Sequence, residues 1–130
     1  MSAPKVLVLR APGINCERET HHAFARAGGA PSFVHIRQLL ERPAQLDTFA
    51  VLVVPGGFSY GDDISSGRVL AQEMKAQLGD RILQFVARGG LVLGICNGFQ
   101  VLVRLGLLPC TQDRLEEEVT LTHNLSNHYE

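Results

Sequence analysis

Stretches of almost unbroken apolar residues alternate along this chain with segments whose apolar positions recur three and four apart. Lys5–Arg10 (KVLVLR), Phe49–Val54 (FAVLVV) and Leu91–Ile95 (LVLGI) form the apolar runs, and Ser32–Ile36 reads as a shorter strand. Short continuous runs bounded by Gly and Pro predict strands buried on both faces. Between them, Glu17–Ala27 reads as a helix with Asn15 as its cap and Gly28–Gly29 as its stop. Leu70, Met74, Leu78, Ile82 and Phe85 recur at helical spacing up to Gly89–Gly90, with Gly79–Asp80 a candidate break into two helices. Asn97–Leu105 reads as a last helix closed by Gly106, and the polar stretch around Pro43 reads as a connector. Apolar strands alternating with amphipathic helices predict an α/β fold, a parallel sheet covered by helices on both faces.

In such sheets ligands gather outside the carboxyl ends of the strands. Three glycine-rich turns fall at those ends: Pro12–Asn15, Pro55–Phe58 and Gly94–Cys96. They are expected to converge on one rim. The last belongs to LVLGICNGFQ, in which Gly94, Cys96 and Gly98 spell G-x-C-x-G. This is the thiol counterpart of the G-x-S-x-G turn, where a strand bends sharply into a helix and carries a nucleophile at the bend. Cys96 would then stand at a helix amino terminus, whose N–H groups and dipole favour the reactive thiolate. A small buried core cysteine is the alternative reading. A nucleophile that attacks a carbonyl needs donors aimed at the oxyanion it creates. The backbone amide of Asn97 follows the nucleophile, and Gly57 can approach closely because it lacks a side chain. Alone, Pro55–Gly56–Gly57 would be read as a simple turn. Gln100 lies one helical turn beyond Cys96 and can return to the same rim, or else serve as a solvated or capping side chain.

Composition narrows the setting. The chain has 130 residues, 45% hydrophobic and 19% charged, which suits one domain with a substantial core. A formal net charge of -1 without any basic run argues against general nucleic-acid or membrane-surface binding. The three cysteines, Cys16, Cys96 and Cys110, are widely spaced and form no C-x-x-C pair. That usage fits reduced thiols in the cytoplasm rather than a disulfide framework or a zinc site, and no metal is expected. Arg10 interrupts the first apolar run too early for a signal peptide, and no uncharged run reaches the length of a membrane span. Cys110, beside Pro109, reads as a packing residue, and His21, His22 and His35 read as solvated or core histidines.

Val54–Asp62 (VPGGFSYGD) together with Gly94–Gln100 (GICNGFQ) resembles the class I glutamine amidotransferases. More closely, the chain resembles the glutaminase subunit or domain of phosphoribosylformylglycinamidine synthases; APGINCERET at the start and LTHNLSNHYE at the end match that family in type and order. The resemblance covers essentially the whole chain and implies a flavodoxin-like parallel sheet, with residues 1–130 the amino-terminal portion of the amidotransferase domain. It implies that Cys96 attacks the side-chain amide of glutamine and that Gly57 and Asn97 hold the oxyanion. Gln100, Gly56, Phe58, Asn124 and Tyr129 would contribute to the glutamine pocket. Ammonia would pass to a synthetase partner, which consumes ATP and magnesium; this chain itself would hold no cofactor. A small accessory subunit is a further candidate partner. Asp62, Asp63, Ser65 and Arg68 would shape the loop and face the synthetase, whereas Asn15 and Cys16 match a rim segment with no catalytic role. One departure stands out. The family draws its general base from a later H-x-E motif, and the terminal His128–Tyr129–Glu130, which has that spelling, falls in the segment that matches the pocket strand instead. Two other readings are a flavodoxin-like cysteine hydrolase or redox-stress protein, and a non-catalytic docking module.

Overall fold

The computed structural model describes residues 2–57 and 68–130; Phe58, Asp62, Asp63 and Ser65 of the rim loop lie outside the described residues. Strand β1 (Lys5–Arg10) has exposed ends and four buried residues between them, as expected for a strand covered above and below. It is followed by α1 (Glu17–Arg26) and β2 (Ala30–His35). Two short elements then occupy the stretch read as a connector: α2 (Ile36–Glu41) and a 3-10 helix over Pro43–Thr48. Helix α2 exists because His35 and Gln38 form a reciprocal capping box, and because Ile36 and Leu39 are buried. His35 is therefore a cap, neither a merely solvated nor a core side chain. β3 (Val51–Val54), α3 (Arg68–Ala87), β4 (Leu91–Gly94) and α4 (Asn97–Leu105) complete the described elements.

The sheet has four strands in the order β2-β1-β3-β4, every neighbour parallel. Register places Val6 beside Val51 and Val8 beside Val53, so the residues alternate cleanly between two faces. Leu7, Leu9, Leu52 and Val54 join one large cluster with α2, α3 and α4, to which Ile36, Met74, Phe85 and Leu105 contribute. Val6, Val8 and Val53 form the opposite face, where Phe24 of α1 packs. Helices thus lie on both faces, but unequally. β4 is an edge strand within this sheet, and its Leu91 and Leu93 are 67% and 44% exposed. Along that edge Val86, Val92, Leu102, Leu108 and Cys110 line an open apolar groove of about 860 Å³. Cys110 is half-buried at a left-handed φ of 52°, a groove-lining position more than a core one.

α3 runs without interruption through Gly79–Asp80. The candidate break is absent: Leu78 and Ile82 on either side stay buried within one helix, and Gly79 gives room to Leu115, whose Cδ1 a Cβ there would meet at 3.3 Å. Leu115 belongs to a return segment that leaves α4 at Gly106, where φ is 86° and only a glycine fits against the Glu116 backbone. Arg104 and Glu117 pair at 3.1 Å along the same segment, and Leu115 is buried in the main cluster. Beyond it, residues 119–130 hold no helix or strand and are largely exposed.

Leu115 is thus the apolar anchor of the return segment. Leu115→Ala should lower unfolding free energy by about 2 kcal/mol, the low end of the range for buried Leu truncation, because the site lies at the margin of the core. Leu125→Ala, at a fully exposed tail position, should stay within about 0.5 kcal/mol of the parent. Urea titration of both variants checks the pair, and equal midpoints would show that the return segment is not anchored.

Candidate active site

The rim is organised around the bend between β4 and α4. β4 ends at Gly94, yet Ile95 N–H still donates to Val54 O at 3.1 Å, so pairing with β3 continues to the brink of the turn. Cys96 follows at φ 53° and ψ -113°, a conformation that L side chains rarely adopt and that costs about 1–3 kcal/mol. The chain then turns directly into α4: Gly98 N–H donates to Ile95 O at 2.8 Å and Gln100 N–H to Cys96 O at 3.1 Å. Two glycines permit the bend. A Cβ at Gly94 would stand 2.7 Å from Gly98 O, and a Cβ at Gly98 would collide with Val54 O and lie 2.7 Å from Val54 C. The first turn of α4 therefore rests backbone-to-backbone on the end of β3, and the Cys96 side chain is left projecting at the rim, exposed.

The neighbouring walls come from the β3 exit and the β1–α1 turn. Gly56 O accepts from both Asn15 N–H and Cys16 N–H at 3.3 Å, and Ile14 forms an isolated antiparallel bridge with Gly57. Gly57 sits at φ 137° with its α-carbon pressed to that turn; a Cβ there would lie 2.7 Å from Asn15 N and 2.9 Å from Ile14 Cα. Gly56 faces the elbow: the place a Cβ would occupy is 3.4 Å from Ile95 O and 3.5 Å from Cys96 Cβ. The three turns at the strand ends thus meet at one rim.

The proposed site residues fall into four groups. Cys96 and Gly56 are brought together with Asn97, which opens α4 with only 1% of its surface exposed, while Gly57, next to Gly56, lies against the β1–α1 turn. Gln100 is half-buried one turn along the same helix. Asn124 and Tyr129 lie on the exposed tail, where Asn124 Nδ2 donates to His128 O at 2.5 Å; no hydrogen bond, ion pair or ring contact ties either residue to the rim among the described residues. Phe58 lies outside the described residues. Among those residues the Cys96 thiol makes no hydrogen bond, so no base is seated against it. His21 stacks on Phe33 with ring centroids 4.5 Å apart, and His35 Nδ1 accepts from Arg37 N–H at 3.1 Å. His128 N–H meets only Ser126 Oγ, at 3.4 Å.

Cys16, given no role from sequence, enters the site. It precedes α1 as its cap residue in place of Asn15, makes no side-chain cap bond, and donates from Sγ to Asn15 Oδ1 at 3.3 Å. Its Sγ lies 3.9 Å from the point where a Cβ on Gly56 would stand, beside the Cys96 Cβ. The sequence signal available for this is positional: Cys16, like Cys96, is the last residue before a helix that follows a strand.

A parallel α/β sheet with a cysteine at a strand-to-helix elbow and glycine turns converging on it defines a class of thiol-bearing rim sites. The family profile described as the CobB/CobQ-like glutamine amidotransferase domain matches residues 3–130, and the chain belongs to that family. Among its relatives, phosphoribosylformylglycinamidine synthase subunit PurQ of Dehalococcoides mccartyi is 48% identical over 130 residues, covering 100% of this chain and 51% of the relative. The subunit of the same name from Methanococcus maripaludis is 47% identical over 129 residues, 98% of this chain and 47% of the relative. A chain of the solved structure of PurLQS from Thermotoga maritima superposes with a TM-score of 0.65 at 37% identity, covering 81% of this chain and 45% of that one. The chain spans about half the length of the curated relatives it matches.

The seating of α4 on β3 makes Gly98 a sensitive position. Gly98→Ala should destabilise the fold by about 3 kcal/mol or more, the upper end of over-packing costs, although alanine is the better helix former by about 1 kcal/mol. Urea denaturation monitored by circular dichroism is the check, and an unchanged midpoint would mean that α4 does not rest on the β3 carbonyl.

Proposed function

We propose that this chain forms the front half of a glutaminase, the ammonia-supplying component of a phosphoribosylformylglycinamidine synthase. The observation that carries the reading is Cys96 at a left-handed elbow, exposed, with Gly56 of the neighbouring strand end against it. The match of nearly the whole chain to about half the length of subunits named PurQ supports it. In the proposed reaction, Cys96 Sγ attacks the side-chain amide carbon of glutamine. The amide oxygen takes up the negative charge and is held by the backbone amides of Gly57 and Asn97. The C–N bond breaks, ammonia leaves with an added proton, and water then hydrolyses the glutamyl thioester to glutamate. Gln100 would orient the substrate from α4, and Gly56 would keep the floor of the pocket low.

Proton delivery to the departing nitrogen requires an acid. No imidazole is bonded to Cys96 among the described residues, and the proposed source is the second half that the relatives possess. The proposed partner is a synthetase that spends ATP, with its magnesium, on the acceptor; the PurLQS assembly of a related chain supports a multi-subunit setting. The proposed location is the cytoplasm, where free thiols persist. No helix among the described residues is long and apolar enough to cross a membrane.

Three polypeptides test this reading by glutamate release from glutamine, with and without the synthetase. The 130-residue chain should show little or no turnover, and a version extended through the relatives' second half should be active. Cys96→Ala in the extended version should abolish glutamine use while leaving ammonia use by the synthetase intact. Gly57→Val in the same version should lose activity by displacing the β3 exit, because its Cβ would stand 2.7 Å from Asn15 N. Comparable turnover by the short and extended chains would transfer the base to a residue already present, such as His128. Persistent activity in Cys96→Ala would remove the mechanism. Synthetase binding without turnover by the extended chain would favour a docking module.

A further inference from the structure

Cys96, through its Cβ, and Cys16, through its Sγ, flank one residue of the rim that has no side chain. β3 lies between β1 and β4, so only its exit loop separates the β1–α1 turn from the elbow. At the crossing point stands Gly56. The position its Cβ would take is 3.5 Å from Cys96 Cβ and 3.9 Å from Cys16 Sγ, which places both cysteines over the same gap. Both are exposed, both immediately precede a helix, and neither spends its side chain on capping that helix. The third thiol is elsewhere: Cys110 lines the groove at the β4 edge and meets Arg114 O at 3.6 Å.

We propose that Cys16 and Cys96 form an oxidation site, in which peroxide converts the pair to an intramolecular disulfide. The Cys96 thiolate attacks one oxygen of hydrogen peroxide; the S–O bond forms, the O–O bond breaks, and hydroxide leaves and is protonated to water. Cys16 thiolate then attacks the sulfenic sulfur, forming the S–S bond and expelling a second water. Two thiols are oxidised and one peroxide is reduced, with no other reactant. A disulfide needs Cβ atoms about 3.5–4.5 Å apart, and closing the pair brings the Cys16 and Cys96 side chains together over Gly56, where no side chain stands between them. Closure would bury Cys96 in a bond that thiols reverse, and would spare it from irreversible sulfinic and sulfonic acids. The pair stands on geometry alone and holds whether or not Cys96 attacks glutamine.

Peptide mapping decides the matter independently of glutamine turnover. The 130-residue chain is treated with one equivalent of hydrogen peroxide, alkylated and digested with trypsin. Cys16 then lies in the peptide Ala11–Arg18 and Cys96 in Gly89–Arg104. The expected product is these two peptides joined, at about ten-fold excess over any other pairing and released by dithiothreitol. In urea the preference should move to Cys96–Cys110, which closes much the shorter loop. Cys110→Ser should keep the native cross-link. Cys16→Ser should lose it, leaving Cys96 as a sulfenic acid at one equivalent and passing it to the sulfinic and sulfonic states when several equivalents are supplied. Over-oxidation of Cys96 beside an unchanged Cys16 in the parent chain would overturn the proposal. So would a native cross-link to Cys110, or one between two chains.

Discussion

The α-carbon of Gly98 rests against the carbonyl of Val54, and the rim is arranged around that contact. Any side chain at position 98 would collide with the end of β3, so helix and strand meet through their backbones. This closeness draws the start of α4 down onto the sheet and buries Asn97. It also forces the two residues between β4 and α4 into a bend that leaves Cys96 at φ 53°. Gly94 completes the arrangement, since its own α-carbon lies against Gly98 O. The strain at Cys96 is local, and the surrounding backbone packing holds it. The geometry of the rim follows from where two main chains touch, before any side-chain chemistry is considered.

The sheet distributes its cover unevenly, and this separates the rim from the edge. α2, α3 and α4 share one cluster with Leu7, Leu9, Leu52 and Val54, whereas α1 alone packs the Val6, Val8 and Val53 face. Leu91 and Leu93 of β4 point to that second face and remain largely exposed. The rim, by contrast, is knitted on three sides by β1, β3 and β4 turns. The incomplete side of the domain is therefore its β4 flank, away from the meeting of Gly56 and Cys96.

The strands and the elbow were readable because their signals are local. An apolar run of four to six residues ending in glycine is visible without knowing its neighbours, and G-x-C-x-G declares its own turn. α2 was not readable because it is six residues long and depends on a polar pair, His35 and Gln38, in place of a long apolar period. The packing of Leu115 against Gly79 of α3 joins positions more than thirty apart, and no window of sequence contains both. Cys16 was missed for the same reason: its place beside Cys96 follows from strand order β2-β1-β3-β4, which periodicity does not encode. The convergence of Gly56, Gly57 and Cys96 was legible because ends of parallel strands share one side of a sheet. Asn124 and Tyr129 rested on family likeness, and their exposed tail adds no local physical signal of its own.

The order of the strands also bears on how the chain assembles as it is made. β1 pairs with β2 across one short helix, Lys5 beside Ala30, and both strands are synthesised before β3. β3 lies on the opposite edge of β1, Val6 beside Val51, and β4 lies outside it, Val51 beside Leu91. Each strand thus pairs with one made before it, so no pairing has to wait for a later segment. Cys96 follows both other rim turns in order of synthesis. The residues of its floor, Gly56 and the β1–α1 turn hydrogen-bonded to it, are all made before the thiol is.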